Sequence, residues 1–184
     1  MKCLCEHYPL HIGGIHGVIH WARVYENGIR LAEENGADLT VVSLFAVFHD
    51  SQRLSNYADP DHGARGAALA TKLRDEAYSI EDDQFELLHQ ACTHHTHAAT
   101  HPDLTVQTCF DADRLDLGRV GITPDRRRLC TSAAKKDSIL SWATKRGGEQ
   151  FLPKKTLSAW NVEQLVREER IEPRKNPYTQ FDHF

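Results

Sequence analysis

The sequence predicts an all-α protein, a helical bundle with extra helices towards its C-terminal end. Apolar residues recur three and four apart along most of the chain, and short polar, Gly- or Pro-bearing breaks separate the periodic stretches. The most apolar stretch, residues 37–50, has no neighbouring segment that reads as a partner strand. At 184 residues the chain can bury a substantial core without staples. Its 40% hydrophobic and 26% charged content excludes a disordered chain.

In chain order, Ile15, Ile19, Ala22, Tyr25, Ile29 and Ala32 form one apolar stripe that stops at Gly36, the pattern of an amphipathic helix. The next segment, through "TVVSLFAVFHD", is apolar almost all round, as a central helix surrounded by others must be. Residues 51–60 are polar, end in Asp-Pro and read as a loop. Ala and Leu dominate a third helix over 61–78. Ser79 and the acidic residues after it open a fourth, over 79–96, where carboxylates suit the positive end of a helix dipole. After the polar break 97–103, a fifth helix is expected from about Leu104 to Leu117, closed by Gly118. Residues 119–129 are a loop with a basic cluster. Thr131 and Ser158 are expected to cap helices over roughly 132–146 and 159–170, and 172–184 reads as an extended tail.

The net charge of -4 gives no global reason to bind nucleic acid or an anionic membrane. Five cysteines without framework spacing read as thiols of a reducing compartment. No signal-peptide core and no run of about 18 apolar residues is present, so the expected location is cytoplasmic.

Histidine is the unusual feature: eleven of twelve fall before residue 102. His16 and His20 share a face of the first helix, His49 and Asp50 end the second, and His62 opens the third. His94 and His95 end the fourth, and Asp111 and Asp113 lie in the fifth. Imidazole with carboxylate suits a divalent ion such as Mn, Fe, Co, Ni, Zn or Mg, whereas thiolates would indicate structural zinc. A metal beyond the end of the second helix would be within reach of both His49 and Asp50.

The order His20, His49-Asp50, Asp113 resembles the HD superfamily of metal-dependent phosphohydrolases, named for that adjacent pair. "HDSQR" is similar to the family's His-Asp-x-x-basic pattern, with Arg53 at the basic position. "HGARGA" resembles its His-bearing third motif, and "DADRLDLGRVGI" resembles a segment of small bacterial members. The likeness spans about residues 15–122. It implies an HD-domain core over 1–130; residues 131–184, outside the likeness, read as a C-terminal helical extension and tail of the same globular unit, their role open between covering the site and a homodimer contact.

By resemblance, His20, His49, Asp50 and Asp113 bind one metal, and His62 and His95 hold a second or contact the substrate. Arg53, His62 and His95 are then the catalytic residues. Asp111 competes with Asp113, and His94 with His95. Asp116 reads as a cap or a salt bridge to Arg119 or Arg114. Arg65 divides evenly between loop charge and function, and "DRRR" at 125–128 reads as a solvated loop. Cys3, Cys5 and His7 form a weak zinc alternative, Trp21 is core, and Trp142 and Trp160 anchor the C-terminal helices. The expected activity is hydrolysis of a nucleotide or other small phosphorylated metabolite. A di-iron oxygenase and a non-catalytic metal- or nucleotide-binding regulatory module are the alternatives.

Overall fold

A helix apolar on nearly every side is stable only when other helices enclose it, and one such helix organises this molecule. The computed structural model describes residues 1–6 and 8–171. Along the chain these form α1 (Lys2–Glu6), α2 (Val18–Asn35), α3 (Leu39–Phe48), α4 (His62–Leu73), α5 (Asp82–His94) and α6 (Leu104–Arg114). Short 3-10 turns follow at Leu117–Val120 and Arg126–Arg128, then α7 (Asp137–Gly148), α8 (Lys154–Ala159) and α9 (Glu163–Ile171). No strand occurs among the described residues, so the fold is all-α as expected.

Asp38 starts α3 by accepting from the Thr40 and Val41 amides, and Val41, Val42, Phe45, Ala46, Val47 and Phe48 are buried against α2, α5 and α6. Each such Val or Phe contributes about 1.5–3 kcal/mol relative to an exposed one. The core therefore fixes where α3 ends, at His49. The first part of α4 is pressed onto the C-terminal ends of two neighbours. A Cβ on Gly63 would stand 2.3 Å from Cys92 O, and one on Gly66 would stand 2.3 Å from Phe48 O. That close approach carries His62 to the ends of α3 and α5.

Several boundaries differ from expectation. The first helix begins at Val18, leaving His16 in the preceding turn. Glu81, not Ser79, caps α5, in a reciprocal arrangement with Gln84 that satisfies amides at both positions. Thr131 Oγ1 accepts from Ala134 N, but the α-helix starts only at Asp137. The single helix expected over 159–170 is two: Ser158 lies inside α8, and Asn161 adopts a left-handed φ of 55° that ends the helix before α9.

The C-terminal helices pack on the bundle. Trp160 meets the Tyr25 ring edge-on at 5.5 Å, and Leu157, Val162 and Val166 join the main core. The guanidinium groups of Arg30 and Arg146 lie over the Trp142 ring system, beside a second core of Leu31, Leu115, Leu129 and Ile139. Trp21 is fully buried. Among the described residues, no helix is long and apolar enough to cross a membrane. The tail with His183, and the His7 on which the zinc reading of Cys3 and Cys5 rests, lie outside the described residues.

The α4 contact makes a direct prediction. Gly66→Ala should destabilise the protein by about 1–3 kcal/mol through overpacking against Phe48 O. Gly148→Ala, whose Cβ would meet nothing within 4 Å, should change stability by less than about 0.5 kcal/mol. Urea unfolding of the two variants checks the contrast, and equal losses would contradict the close approach.

Candidate metal centre

Three helices end at one point. His49 caps the C-terminus of α3 with Asp50 next to it, His95 caps α5, and Asp113 lies in the last turn of α6. His20 reaches the same point from the first turn of α2, and His62 from the start of α4. All are buried except Asp113, which is partly open to the cleft.

The six side chains form two groups that share Asp50. In the first, His20 Nε2 is 3.1 Å from His49 Nε2, 3.6 Å from Asp50 Oδ2 and 3.4 Å from Asp113 Oδ1. His49 Nε2 is 3.9 Å from each of the same two carboxylate oxygens. In the second, His62 Nε2 lies 3.0 Å from both Asp50 Oδ1 and His95 Nε2, and His95 Nε2 is 3.9 Å from Asp50 Oδ1. An ion about 2.0–2.2 Å from each donor separates cis donors by roughly 3.0–3.6 Å, so these spacings suit a metal. His20–His49–Asp50 and Asp50–His62–His95 could each hold one.

The outer nitrogens give the same indication. His20 Nδ1 is 2.7 Å from Asp116 Oδ2, and His49 Nδ1 is 3.1 Å from both Phe45 O and Ala46 O. His62 Nδ1 is 2.5 Å from Asp59 O, and His95 Nδ1 is 2.8 Å from Cys92 O. Each partner can only accept, so each Nδ1 carries a proton; the Nε2 atoms of His20, His49 and His95 are then directed inward with lone pairs that could bind a metal, while His62 Nε2 faces Asp50 Oδ1. In the first group the lone pairs of two imidazoles and two carboxylates then face one another, an arrangement that only positive charge relieves. Asp113 Oδ1 is buried without a hydrogen-bond partner. The residues therefore fit a divalent ion with mixed nitrogen and oxygen ligands.

Electrostatics follow from burial and the shared carboxylate. Burial pushes the His49 imidazole from 6.5 down to about 3, against the pull of Asp50 and Asp113. Burial also lowers His95 and His16. His62 is raised: burial opposes its charge, but the bond to Asp50 outweighs this. Burial alone would raise Asp50, yet His49 and the hydrogen bonds from His16 and His62 hold its carboxyl well below the usual range.

The two ambiguous pairs separate cleanly. Asp111 points away and accepts from the Cys130 and Thr131 amides and the Thr131 hydroxyl, at 2.7–2.8 Å, while Asp113 faces His20. His94 is exposed and His95 is buried in the centre. Arg53 borders the centre, with Nη1 3.1 Å from His62 Nε2 and 3.5 Å from Asp50 Oδ1, and it is braced by Ser55 O and Tyr57 O. Arg65 braces that loop through a two-pronged contact with Asp59.

Asp116 corrects the sequence reading. Its carboxylate accepts from His20 Nδ1 and Arg23 Nε, at 2.7 Å each, and pairs with neither Arg119 nor Arg114. Arg114 instead donates to Ala98 O, Ala99 O and Arg128 O. A signal was present: His20 and Arg23 are three apart, as are Asp113 and Asp116, so each pair shares a face. His16 Nδ1 is 2.9 Å from Asp50 Oδ2, and Thr96 Oγ1 stands 3.2 Å from both His62 Nε2 and His95 Nε2.

No family model matches the sequence, and no curated protein matches it. The structure is similar to the crystal structure of a predicted HD superfamily hydrolase from an uncultured Thermotogales bacterium. Identity is 25%, the TM-score is 0.54, and the match covers 79% of this chain and 82% of that one. Fold and motif order together place the chain in the HD superfamily.

Two outcomes are expected. Between about pH 6.5 and 3 the unfolded chain binds protons that His49, His95 and His16 refuse in the fold. Metal-free protein should therefore be most stable above about pH 6.5 and weaken on acidification, with His62 contributing in the opposite sense. Urea midpoints from about pH 7 to 4.5 should fall, less steeply in His49→Gln, and a flat profile would contradict a buried neutral imidazole. Asp116→Asn should weaken metal binding about 10–100-fold in a chelator competition titration, because His20 loses its charged acceptor.

Proposed function

We propose that the chain is a metal-dependent hydrolase of phosphate esters, acting on a nucleotide or another small phosphorylated metabolite. The observation that carries this reading is Asp50, one buried carboxylate shared by two inward-facing imidazole pairs at the floor of an arginine-rich cleft. The hydrolase description of the structural neighbour supports it at the level of reaction class.

His20, His49, Asp50 and Asp113 would hold one divalent ion, and Asp50, His62 and His95 a second. When bound, such an ion supplies Lewis acidity towards phosphoryl oxygens and brings a water into the neutral pKa range. The chain's own residues do the rest. Arg53, anchored through Nε and Nη2, presents Nη1 where charge develops on the phosphoryl oxygens. His62 is charged most readily of the inner imidazoles and can pass a proton from Nε2 to a leaving oxygen where it holds no ion. Asp116 and the backbone carbonyls fix the imidazole orientations.

The cleft, about 870 Å³, is of ordinary size for a small ligand. Leu117, Val120, Ile122 and Pro124 give it an apolar wall on which a base or similar body can rest. Its arginines favour a phosphorylated substrate over dioxygen chemistry.

Metal analysis of protein purified without chelator, then a phosphatase panel with Mn, Mg, Ni and Co, tests the proposal. Turnover that depends on metal and is lost in His49→Ala supports it. Two irons with oxygen consumption would favour the oxygenase, and metal without turnover a binding module. Arg53→Gln should lower kcat about 100-fold or more with metal content unchanged, and a parallel loss of metal would reassign Arg53 to supporting Asp50.

A further inference from the structure

Arg119 lies three residues beyond Asp116, on the 3-10 turn that α7 packs against. Its side chain is only 6% exposed. Nε donates to Ile15 O at 2.9 Å and Nη1 to Asp116 O at 3.2 Å, so the guanidinium plane is fixed. Nη2 has no acceptor within hydrogen-bond distance among the described residues. It stands 3.8 Å from Asp113 Oδ1 and lines the same cleft as Asp50 and Arg53.

A guanidinium in this place needs a reason. A cation beside a group built to hold cations is adverse, the more so where water is scarce. The charge of Arg119 supports the Asp113 carboxylate, but at 3.8 Å the two make no hydrogen bond, so this contact leaves the Nη2 N–H groups to be used elsewhere. The cleft lining already sets five arginines against three carboxylates, on a chain whose net charge is -4. Metal ions would add further positive charge. Such a lining favours an anion.

We infer, on the premise that the centre acts on a phosphate ester, that Arg119 is a substrate-binding residue. It grips the phosphoryl group from the Asp113 side while Arg53 grips it from the His62 side. The preferred ligand is then a dianionic phosphate monoester. A diester carries one negative charge and fewer free oxygens, and leaves one guanidinium unsatisfied.

Calorimetric titration of inorganic phosphate into the Co-loaded protein tests this whether or not a substrate turns over. Arg119→Gln should weaken phosphate binding about tenfold or more, the scale of one lost charge-assisted hydrogen bond, with metal content and unfolding midpoint retained. Arg119→Lys should recover part of the loss. Unchanged phosphate affinity would overturn the inference, as would loss of metal together with phosphate, which would make Arg119 a support of Asp113. Should the variants fail to fold, the wild type decides: saturating phosphate should protect Arg119 from phenylglyoxal, read by mass spectrometry, and no protection overturns the assignment. Phosphate binding that needs Arg119, without turnover on any ester, would sink the phosphohydrolase reading and keep Arg119 as the phosphate-binding residue of a binding module.

Discussion

The Asp50 carboxylate is the constraint on which the rest of the site depends. It is almost fully buried, and one oxygen faces His16 and His20 while the other faces His62 and Arg53. A buried carboxylate with no partners would cost several kcal/mol. Every neighbour therefore has to arrive within hydrogen-bonding or ion-pairing distance from a different element. Residues before α2, α2 itself, the loop after α3 and α4 all supply one. This demand explains why the apolar run of α3 ends in His49-Asp50: only a segment gripped on nearly every side can hold a charge at a defined depth.

The second device is the use of helix ends. The last carbonyls of a helix lack amide partners and carry partial negative charge. In α3 and α5 they accept the Nδ1 protons of the capping histidines, from Phe45 O, Ala46 O and Cys92 O. One contact thus satisfies an orphan carbonyl, fixes a ring, and selects the tautomer that directs Nε2 into the centre. The negative ends of α3, α5 and α6 converge there as well, so the backbone itself favours a cation. Burial, which keeps His49 and His95 neutral, acts in the same direction.

The helices were legible because their apolar periodicity reports burial directly: the stripe of α2 and the all-round apolarity of α3 leave little alternative. Their ends were less legible. Ser79 and Ser158 are good capping residues in isolation, but Glu81 with Gln84, and the left-handed turn at Asn161, define the actual boundaries. In the centre, the side chains brought together are those the motif order singles out: a His-Asp pair alone is common by chance, but four motifs in order are a strong signal. Asp116 was missed for a physical reason. Its near neighbours Arg114 and Arg119 offered obvious partners, whereas its actual partners, Arg23 and His20, lie 93 and 96 residues away. Spacing shows which residues share a face but not which face they meet.

The buried imidazoles and carboxylates and the arginines of the cleft occupy different kinds of structure. The inward imidazoles and carboxylates sit at helix termini fixed by the core, and the outer partners that orient them are mostly backbone carbonyls, which substitution cannot remove. Four of the five arginines that line the cleft come from connecting segments: Arg53 from the loop after α3, Arg119 from the 3-10 turn, Arg127 and Arg128 from the next connection; Arg114 ends α6. Such segments tolerate change better than the helices they join. Arg53 is the link between the two kinds of structure, since its Nη1 also stands 3.1 Å from His62 Nε2 and 3.5 Å from Asp50 Oδ1. The fold thus places the buried imidazoles and carboxylates on helix ends and most of the arginines on the segments between them.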